Sequence, residues 1–205
     1  MKIVLHHDDL QHDVDFGSMV AVDTEALGLN PHRDRLCVVQ LSAGDGTCHL
    51  VKFGANSPYD APRLKKVLND KKIIKLFHFA RFDVAILSRY LGVDCAPIYC
   101  TKIASKLART YTDRHGLKDL CSALLGIELS KQEQTSDWGA PTLTESQKTY
   151  AATDVLHLHA LKEKLEEMLE REGRTDLAQK CFEFLPTCSD LDLKGWTVET
   201  LFSHK

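Results

Sequence analysis

The sequence of 205 residues lacks the features that assign a chain to a membrane or to the secretory pathway. No stretch approaches the ~20 consecutive apolar residues that span a bilayer. The N-terminus, MKIVLHHDDL, has neither the apolar core nor the small-residue cleavage site of a signal peptide. The seven cysteines form no CxxC pair, and their odd number argues against a disulfide framework. We therefore expect a cytoplasmic protein that has no membrane partner.

An excess of positive charge is also missing. The formal net charge is −3, so no overall basic field would attract long nucleic acid. Hydrophobic residues make up 43% of the chain and charged residues 27%, which argues against disorder. A polyanionic partner would have to be short or would need a local basic patch. The densest basic region consists of Lys102, Lys106, Arg109, Arg114, His115 and Lys118.

Periodicity predicts a chain that contains both strands and helices. Residues 20–24, 36–42 and 47–53 have strand patterns, and the turn sequence AGDG joins the last two into a hairpin. The three strands are predicted to form an antiparallel meander. A fourth strand at residues 72–78 then alternates with helices, which indicates a mixed sheet. The predicted helices cover residues 61–69, 80–91, 101–108, 117–125 and 144–172.

A pair of carboxylates at the end of the first buried strand is the strongest chemical signal. The apolar run MVAV leads directly into Asp23, Thr24 and Glu25. Alternate side chains of a strand share a face, so Asp23 and Glu25 point the same way. Two neighbouring anions that lose water are costly unless a cation lies between them. The pair therefore indicates a metal site.

Three more residues extend this candidate site. Asp83 follows a strand near the start of a helix, and Tyr150 and Asp154 are four apart on one helix face. Oxygen ligands of this kind suit Mg²⁺ or Mn²⁺ rather than zinc. His157 and His159 are two apart on a helix and diverge, so we do not expect them to bind a metal. The aromatic residues nearby are interpreted as packing residues, namely Phe77, Phe79, Phe82 and Trp138.

Three segments resemble the exonuclease motifs of the DEDD superfamily. They are residues 23–25 (DTE), 78–83 (HFARFD) and 150–154 (YAATD). Tyr150 stands where other members have histidine, as in the tyrosine-type subgroup. The sequence SDW at residues 136–138 is similar to ribonuclease D, and the resemblance covers roughly residues 1–170.

Within the ribonuclease D family, the chain resembles the compact single-domain branch. Residues 28–37 (GLNPHRDRLC) and 100–105 (CTKIAS) look like the nanoRNase C type, whose members clear dinucleotides. We expect a single 3′-5′ exonuclease domain over residues 1–205, with no HRDC domain. Its catalytic core should end near residue 172. The apolar tail over residues 173–205 should dock on this core or on another subunit.

The resemblance implies a ribonuclease H-like α/β fold and hydrolysis with two divalent metal ions, Mg²⁺ or Mn²⁺. It implies that Asp23 bridges the ions and that Asp83 supports the second one. Glu25 and Asp154 would complete the site that holds the nucleophilic water. Tyr150 would orient this water or accept its proton. A free tyrosine has a pKa near ~10, which favours the orienting role.

Contacts with substrate are predicted at Thr24, Leu29, His78, Lys102, Arg109 and Arg114. Leu29 resembles a leucine that wedges between the last two bases, but a loop leucine packed on the core is an equal alternative. His78 could lie against the terminal nucleotide or be a satisfied histidine at a strand end. The basic residues could capture a 5′ phosphate and so measure length, or they could form a solvated helix face.

The leading hypothesis is a 3′-to-5′ exoribonuclease that converts very short RNA, above all dinucleotides, into 5′-mononucleotides. One alternative is ribonuclease D-like trimming of longer or structured RNA, with DNA as a further substrate. A remote alternative is a nucleic-acid-binding module without activity. The apolar tail favours a homo-oligomer, and the resemblance implies a ring octamer.

Overall fold

A mixed β-sheet forms the centre of the computed structural model, which describes residues 1–130 and 136–204. In chain order, the strands are β1 (Lys2–His7), β2 (Met19–Ala26), β3 (Leu36–Ser42), β4 (Thr47–Lys52), β5 (Ile74–Phe77) and β6 (Ile98–Cys100). Their spatial order is β1-β4-β3-β2-β5-β6. The ribonuclease H-like α/β fold with a mixed sheet is confirmed.

The predicted meander forms the middle of the sheet. Strands β2, β3 and β4 pair antiparallel, and β1, β5 and β6 add in parallel to the two sides. Every residue of β3 is buried, because the sheet is covered on both faces. Strands β1 and β6 were not predicted, since β6 has only three residues and β1 ends directly in a polar histidine- and aspartate-rich segment.

Helices cover the sheet and connect its parallel strands. They are α1 (Pro62–Asn69), α2 (Ala80–Leu91), α3 (Thr101–Ala108), α4 (Leu117–Leu120), α5 (Glu145–Leu156), α6 (Leu158–Arg171), α7 (Thr175–Leu193) and α8 (Val198–Leu201). A π-helical turn, Cys121–Leu125, continues α4. None of the helices within residues 1–130 and 136–204 combines the length and the apolar character that crossing a membrane would require.

The prediction of one helix over residues 144–172 is wrong at its centre. Thr144 forms a capping box with Gln147 at the start of α5, but α5 ends at Leu156, and α6 begins at Leu158 directly after the capping residue His157. Helix α5 packs across β2, β3 and β4, whereas α6 packs against α3. The chain changes direction because its two halves bury their apolar faces against different elements.

The C-terminal segment is mostly one long helix. Helix α7 continues through Pro186 and buries Ala178, Phe182, Leu185 and Ser189. It packs against α2, and the role of the tail in docking on the core or on another subunit stays a prediction. The single-domain boundary stays a prediction, and residues 131–135 and 205 of that domain lie outside the described residues.

Candidate active site

Three acidic side chains from two elements meet above the end of β2. Asp23 and Glu25 lie two apart on the strand, and Asp154 projects from α5, which packs across it. Each residue offers a carboxylate oxygen within 4.8 Å of one from both others. Strand alternation explains why Asp23 and Glu25 share a face, and the packing of α5 on β2 brings Asp154 to them.

Asp83 approaches this group from helix α2. Its Oδ1 accepts a hydrogen bond of 2.6 Å from Oγ1 of Thr24, the residue between the two strand acids. Asp83 is only 4% exposed, and burial together with the charge of Asp23 raises its pKa well above the usual range. The sequence prediction that four acids from three segments converge therefore agrees with the geometry.

The electrostatics of the cluster indicate that it needs a cation. Burial raises the pKa of Asp23 to about 7. Burial raises the pKa of Glu25 to about 10, with further contributions from the charges of Asp23, Asp154 and Asp83. Among residues 1–130 and 136–204, no lysine, arginine or histidine forms an ion pair with these four acids. Clustered hard oxygen ligands without a protein counter-charge fit a divalent ion such as Mg²⁺.

Gln40 is a component of the site that sequence reasoning missed. It lies opposite Asp23 in the β2–β3 register, is fully buried, and donates from Nε2 to Asp23 Oδ2 at 3.2 Å. This bond fixes one carboxylate oxygen and leaves the other available. The sequence does contain a signal for this residue. Gln40 is a polar residue within the apolar strand sequence CVVQLS, and pairing the meander in register would place it opposite Asp23.

Tyr150 lies one helical turn before Asp154 on α5. Burial and then the charge of Asp154 raise the pKa of the phenol above its ordinary value, so Tyr150 is neutral near pH 7. The indole ring of Trp138 packs at 6.1 Å from the phenol ring and is 2% exposed, which confirms it as a packing residue. Gln147 ties the preceding loop to α5 through Ser136 and Asp137.

Leu29 projects from the loop between β2 and β3. It is 85% exposed, so it does not pack on the core, which favours the wedge interpretation. The carboxylate of Asp34 shapes this loop by accepting from the Asn30 amide and from the Arg33 guanidinium. A Cβ at position 28 would collide with the Asp34 carboxylate, so the loop conformation favours glycine there.

His78, Phe79 and Lys102 form a small group beside the start of α2. His78 Nδ1 lies 2.9 Å from Thr101 Oγ1, and burial, with the charge of Lys102, lowers the pKa of His78 to about 3. Phe79 was interpreted as a packing residue, but it is not part of the core. Its backbone is left-handed (φ 69°), its ring is 50% exposed, and Lys102 Nζ lies 4.2 Å from the ring centroid.

The basic cluster is less uniform than its sequence indicates. Arg109 is 5% exposed and donates to the Arg114 carbonyl oxygen at 3.0 Å. Its guanidinium therefore shapes the loop that carries Arg114, while Lys106, Arg114 and Lys118 face solvent. Which of these residues contact phosphate stays a prediction.

The 3′-5′ exonuclease family model matches residues 7–170. This chain belongs to the 3′-5′ exonuclease family. Within this family it is 36% identical to ribonuclease D of Gluconacetobacter diazotrophicus over 158 residues, which are 77% of this chain and 39% of that protein. It is equally identical to DNA polymerase I of Aquifex aeolicus over 148 residues, 72% of this chain and 24% of that protein. The chain thus spans well under half the length of these relatives.

Several solved structures of nucleases are similar to this exonuclease domain. Brucella melitensis NrnC bound to pGG superposes with a TM-score of 0.95 at 55% identity and covers 100% of both chains. The same protein with bound Mg²⁺ has a TM-score of 0.94 at 54% identity and also covers both chains fully. Escherichia coli RNase D has a TM-score of 0.74 at 26% identity, with 84% of this chain and 45% of that chain covered. The predicted resemblance to ribonuclease D and to NrnC is confirmed, and the acidic cluster of this chain offers the oxygen ligands that a divalent ion requires.

We predict that this exonuclease domain is least stable at neutral to alkaline pH when it holds no metal. The pKa of Asp23 is raised to about 7 and that of Glu25 to about 10, so the folded chain binds more protons than the unfolded chain. That contribution to stability is complete below about pH 4 and is lost as the pH rises through 7 for Asp23 and through 10 for Glu25. The melting temperature in EDTA should therefore fall from about pH 5 to about pH 10.

Excess Mg²⁺ should largely remove this fall, because the ion binds the ionised carboxylates of the folded state only. Thermal scans at each pH, in EDTA and in MgCl₂, provide the measurement. Asp190→Asn is the matched control, since Asp190 is an exposed carboxylate on α7 and should leave the difference between the two curves unchanged. Identical pH profiles with and without Mg²⁺ would contradict the prediction.

Proposed function

We propose that this protein is a metal-dependent 3′-to-5′ exoribonuclease that hydrolyses very short RNA, above all dinucleotides, to 5′-mononucleotides. The observation that carries the proposal is the convergence of Asp23, Glu25 and Asp154 within 4.8 Å, with Asp83 and Tyr150 beside them. Likeness over the whole chain to Brucella melitensis NrnC bound to pGG supports the short substrate.

The residues have separable roles in the proposed reaction. Asp23, Glu25, Asp83 and Asp154 would hold two divalent cations, which supply charge stabilisation and an activated water when bound. Gln40 holds the carboxylate of Asp23 in place through its amide. A free phenol has a pKa near ~10 and is protonated at neutral pH, so Tyr150 suits a hydrogen-bond donor that orients the attacking water better than a base.

The surroundings of the acids suggest how a short substrate would be held. The exposed side chain of Leu29 is available to insert between two bases. Thr24, which donates to Asp83, and His78 are the proposed contacts next to the acids, and Lys102 supplies a positive charge beside the exposed Phe79 ring. Arg114 is the candidate for the 5′ phosphate, with Arg109 fixing its loop. A pocket that binds both ends of a dinucleotide would favour that length.

A second candidate is ribonuclease D-like trimming of longer or structured RNA, with DNA as a further substrate. It is supported by 36% identity to ribonuclease D of Gluconacetobacter diazotrophicus. It is also supported by the fold shared with Escherichia coli RNase D, described as an exoribonuclease involved in structured RNA processing.

The length of the preferred substrate separates the two candidates. We expect kcat/KM to be highest for a 5′-labelled dinucleotide and to fall as oligomers of the same sequence become longer. The measurement is initial rates in Mg²⁺ for RNAs of graded length and for a DNA dinucleotide, with Asp23→Asn as the inactive control. Rates that rise with length would favour trimming and contradict dinucleotide clearance.

We also propose that the chain is one domain that assembles into a ring octamer in the cytoplasm. Free cysteines at all seven positions fit a reducing compartment. Large apolar side chains remain exposed on α7, α8 and the segments next to them, namely Leu177, Phe184, Trp196, Leu201 and Phe202. Such a concentration of exposed apolar surface is typical of an interface. Sedimentation should give the mass of eight chains, and a monomer at assay concentration would contradict the assembly.

A further inference from the structure

Arg81, in the segment HFARFD (residues 78–83), is held by helix α7. Arg81 belongs to the first turn of α2, and its guanidinium makes two parallel bonds to Asp192 near the end of α7. Nε lies 2.6 Å from Oδ2, and Nη2 lies 2.7 Å from Oδ1. The two side chains are 30% and 26% exposed, so water screens the pair only in part. Bidentate pairs of this kind fix orientation as well as distance.

The same turn receives a second contact from α7. Ser189, which is 2% exposed, donates from Oγ to the Arg81 carbonyl oxygen at 3.1 Å. The start of α2 needs such support, because its capping residue, Phe79, has a left-handed backbone and makes no side-chain capping bond. Helix α7 therefore holds the first turn of α2 through both a side chain and the backbone.

Asp83 lies on this turn and faces the opposite way. It is two residues after Arg81, so the two side chains diverge, and Asp83 bonds inward to Thr24 while Arg81 bonds outward to Asp192. The end of α7 also meets the loop that carries Leu29, since His32 Nε2 lies 3.4 Å from the Asp192 carbonyl oxygen. One residue of α7 thus contacts both the helix that presents a candidate metal ligand and the loop that presents a candidate wedge.

We propose that Asp192 is a positioning residue for the active site, which acts through Arg81 to hold Asp83 in its place. Asp192 lies outside residues 7–170, where the match to the exonuclease family ends. Asp192 therefore supports the active site from beyond the span that matches the family. This inference rests on the proposed exonuclease activity.

The test is Asp192→Asn, which keeps the size of the side chain and removes its charge. Replacing a residue that orients a metal ligand typically costs 10- to 100-fold in metal affinity or activity. We expect kcat on a dinucleotide to fall about tenfold with KM nearly unchanged, and the Mn²⁺ concentration for half-maximal rate to rise by about the same factor. Calorimetric titration of Mn²⁺ into the protein without RNA measures the second effect independently of activity.

Asp190→Asn is the matched control, because Asp190 is on the same helix but is 63% exposed and pairs with the exposed Lys194. It should keep wild-type kcat and Mn²⁺ affinity. Arg81→Lys tests the other partner, since a lysine keeps the charge but cannot form the two parallel bonds. If the residues act through one another, the double variant should be no worse than the more impaired single variant.

Wild-type Mn²⁺ affinity and kcat in a folded Asp192→Asn protein would overturn the inference, and so would losses that multiply in the double variant. A lowered melting temperature with unchanged Mn²⁺ affinity would assign the pair to stability alone and would equally overturn it. Absence of hydrolysis by the wild-type protein would instead contradict the proposed function, while the Mn²⁺ titration would still decide the role of Asp192.

Discussion

Asp23→Asn should abolish hydrolysis and at the same time stabilise the metal-free protein. The substitution removes the carboxylate shared by the cluster, and we expect a loss of kcat/KM on the order of 10³-fold. The same change removes a buried charge that its neighbours repel. Because the pKa of Asp23 is raised to about 7, ionising it in the folded chain costs free energy above that pH. Asparagine should therefore raise the free energy of unfolding in EDTA by about 1–3 kcal/mol at alkaline pH.

The combination of opposite signs makes this prediction specific. A residue needed only for folding would lose activity and stability together, whereas a residue held in a costly position for function loses activity and gains stability. Asn can keep the hydrogen bond from Gln40, so the pairing of β2 with β3 should persist. The measurements are dinucleotide hydrolysis in Mg²⁺ and chemical denaturation in EDTA. Activity near wild type would refute the catalytic assignment and favour a nucleic-acid-binding module that does not use these acids.

Tyr150→Phe should slow hydrolysis on the order of 10²-fold while metal affinity and KM stay close to wild type. The phenol lies one helical turn from Asp154, and a phenol protonated at neutral pH can orient a water molecule by donating a hydrogen bond. Phenylalanine keeps the ring that packs on Trp138 and removes only the hydroxyl. The measurements are kcat and KM on a dinucleotide and calorimetric titration with Mn²⁺.

The pH profile separates orientation from proton transfer by the same residue. If Tyr150 orients water, the Phe variant should keep the shape of the wild-type profile at a lower rate. Tyr59→Phe is the control, since Tyr59 donates to the Leu36 carbonyl oxygen at 2.8 Å away from the acids. It should cost about 1 kcal/mol of stability and leave kcat unchanged. Equal losses of binding and rate in Tyr150→Phe would contradict the orienting role.

The acids could be located from the sequence because local geometry determines where they point. Strand alternation alone places Asp23 and Glu25 on one face. Helical spacing alone places Tyr150 one turn before Asp154. The remaining step, that α5 crosses β2, came from resemblance to a family and not from any local rule. The ligands of the candidate metal site could thus be predicted from local spacing. The packing of α5 on β2, which brings them together, could be predicted only from the family resemblance.

Other side chains depend on tertiary contacts that no spacing encodes. Arg109 looks like its basic neighbours in sequence, yet it is buried because a carbonyl oxygen of the following loop accepts its guanidinium. Phe79 looks like Phe77, yet the left-handed turn before α2 directs its ring toward solvent. The break at His157 has no glycine or proline to mark it, because it arises from the different packing partners of α5 and α6.

The C-terminal helix shows how packing overrides a local signal. Pro186 lacks a backbone donor, and a proline normally ends or kinks a helix. Phe182 and Leu185 on the preceding turn are buried, and the Phe182 ring packs at 4.6 Å from Tyr99. These contacts, with the Arg81–Asp192 pair beyond the proline, hold α7 continuous.

Anyone shortening this protein to the span of residues 7–170 that matches its family would remove two supports at once. Loss of β1 would leave the amides and carbonyls of β4 unpaired along an open edge, and such edges template intermolecular strand addition. Loss of α7 would strip the cover from Tyr99 and from the outer face of α2. The family match therefore marks the part of the chain that relatives share. We expect the smallest fragment that does not aggregate to include both β1 and α7.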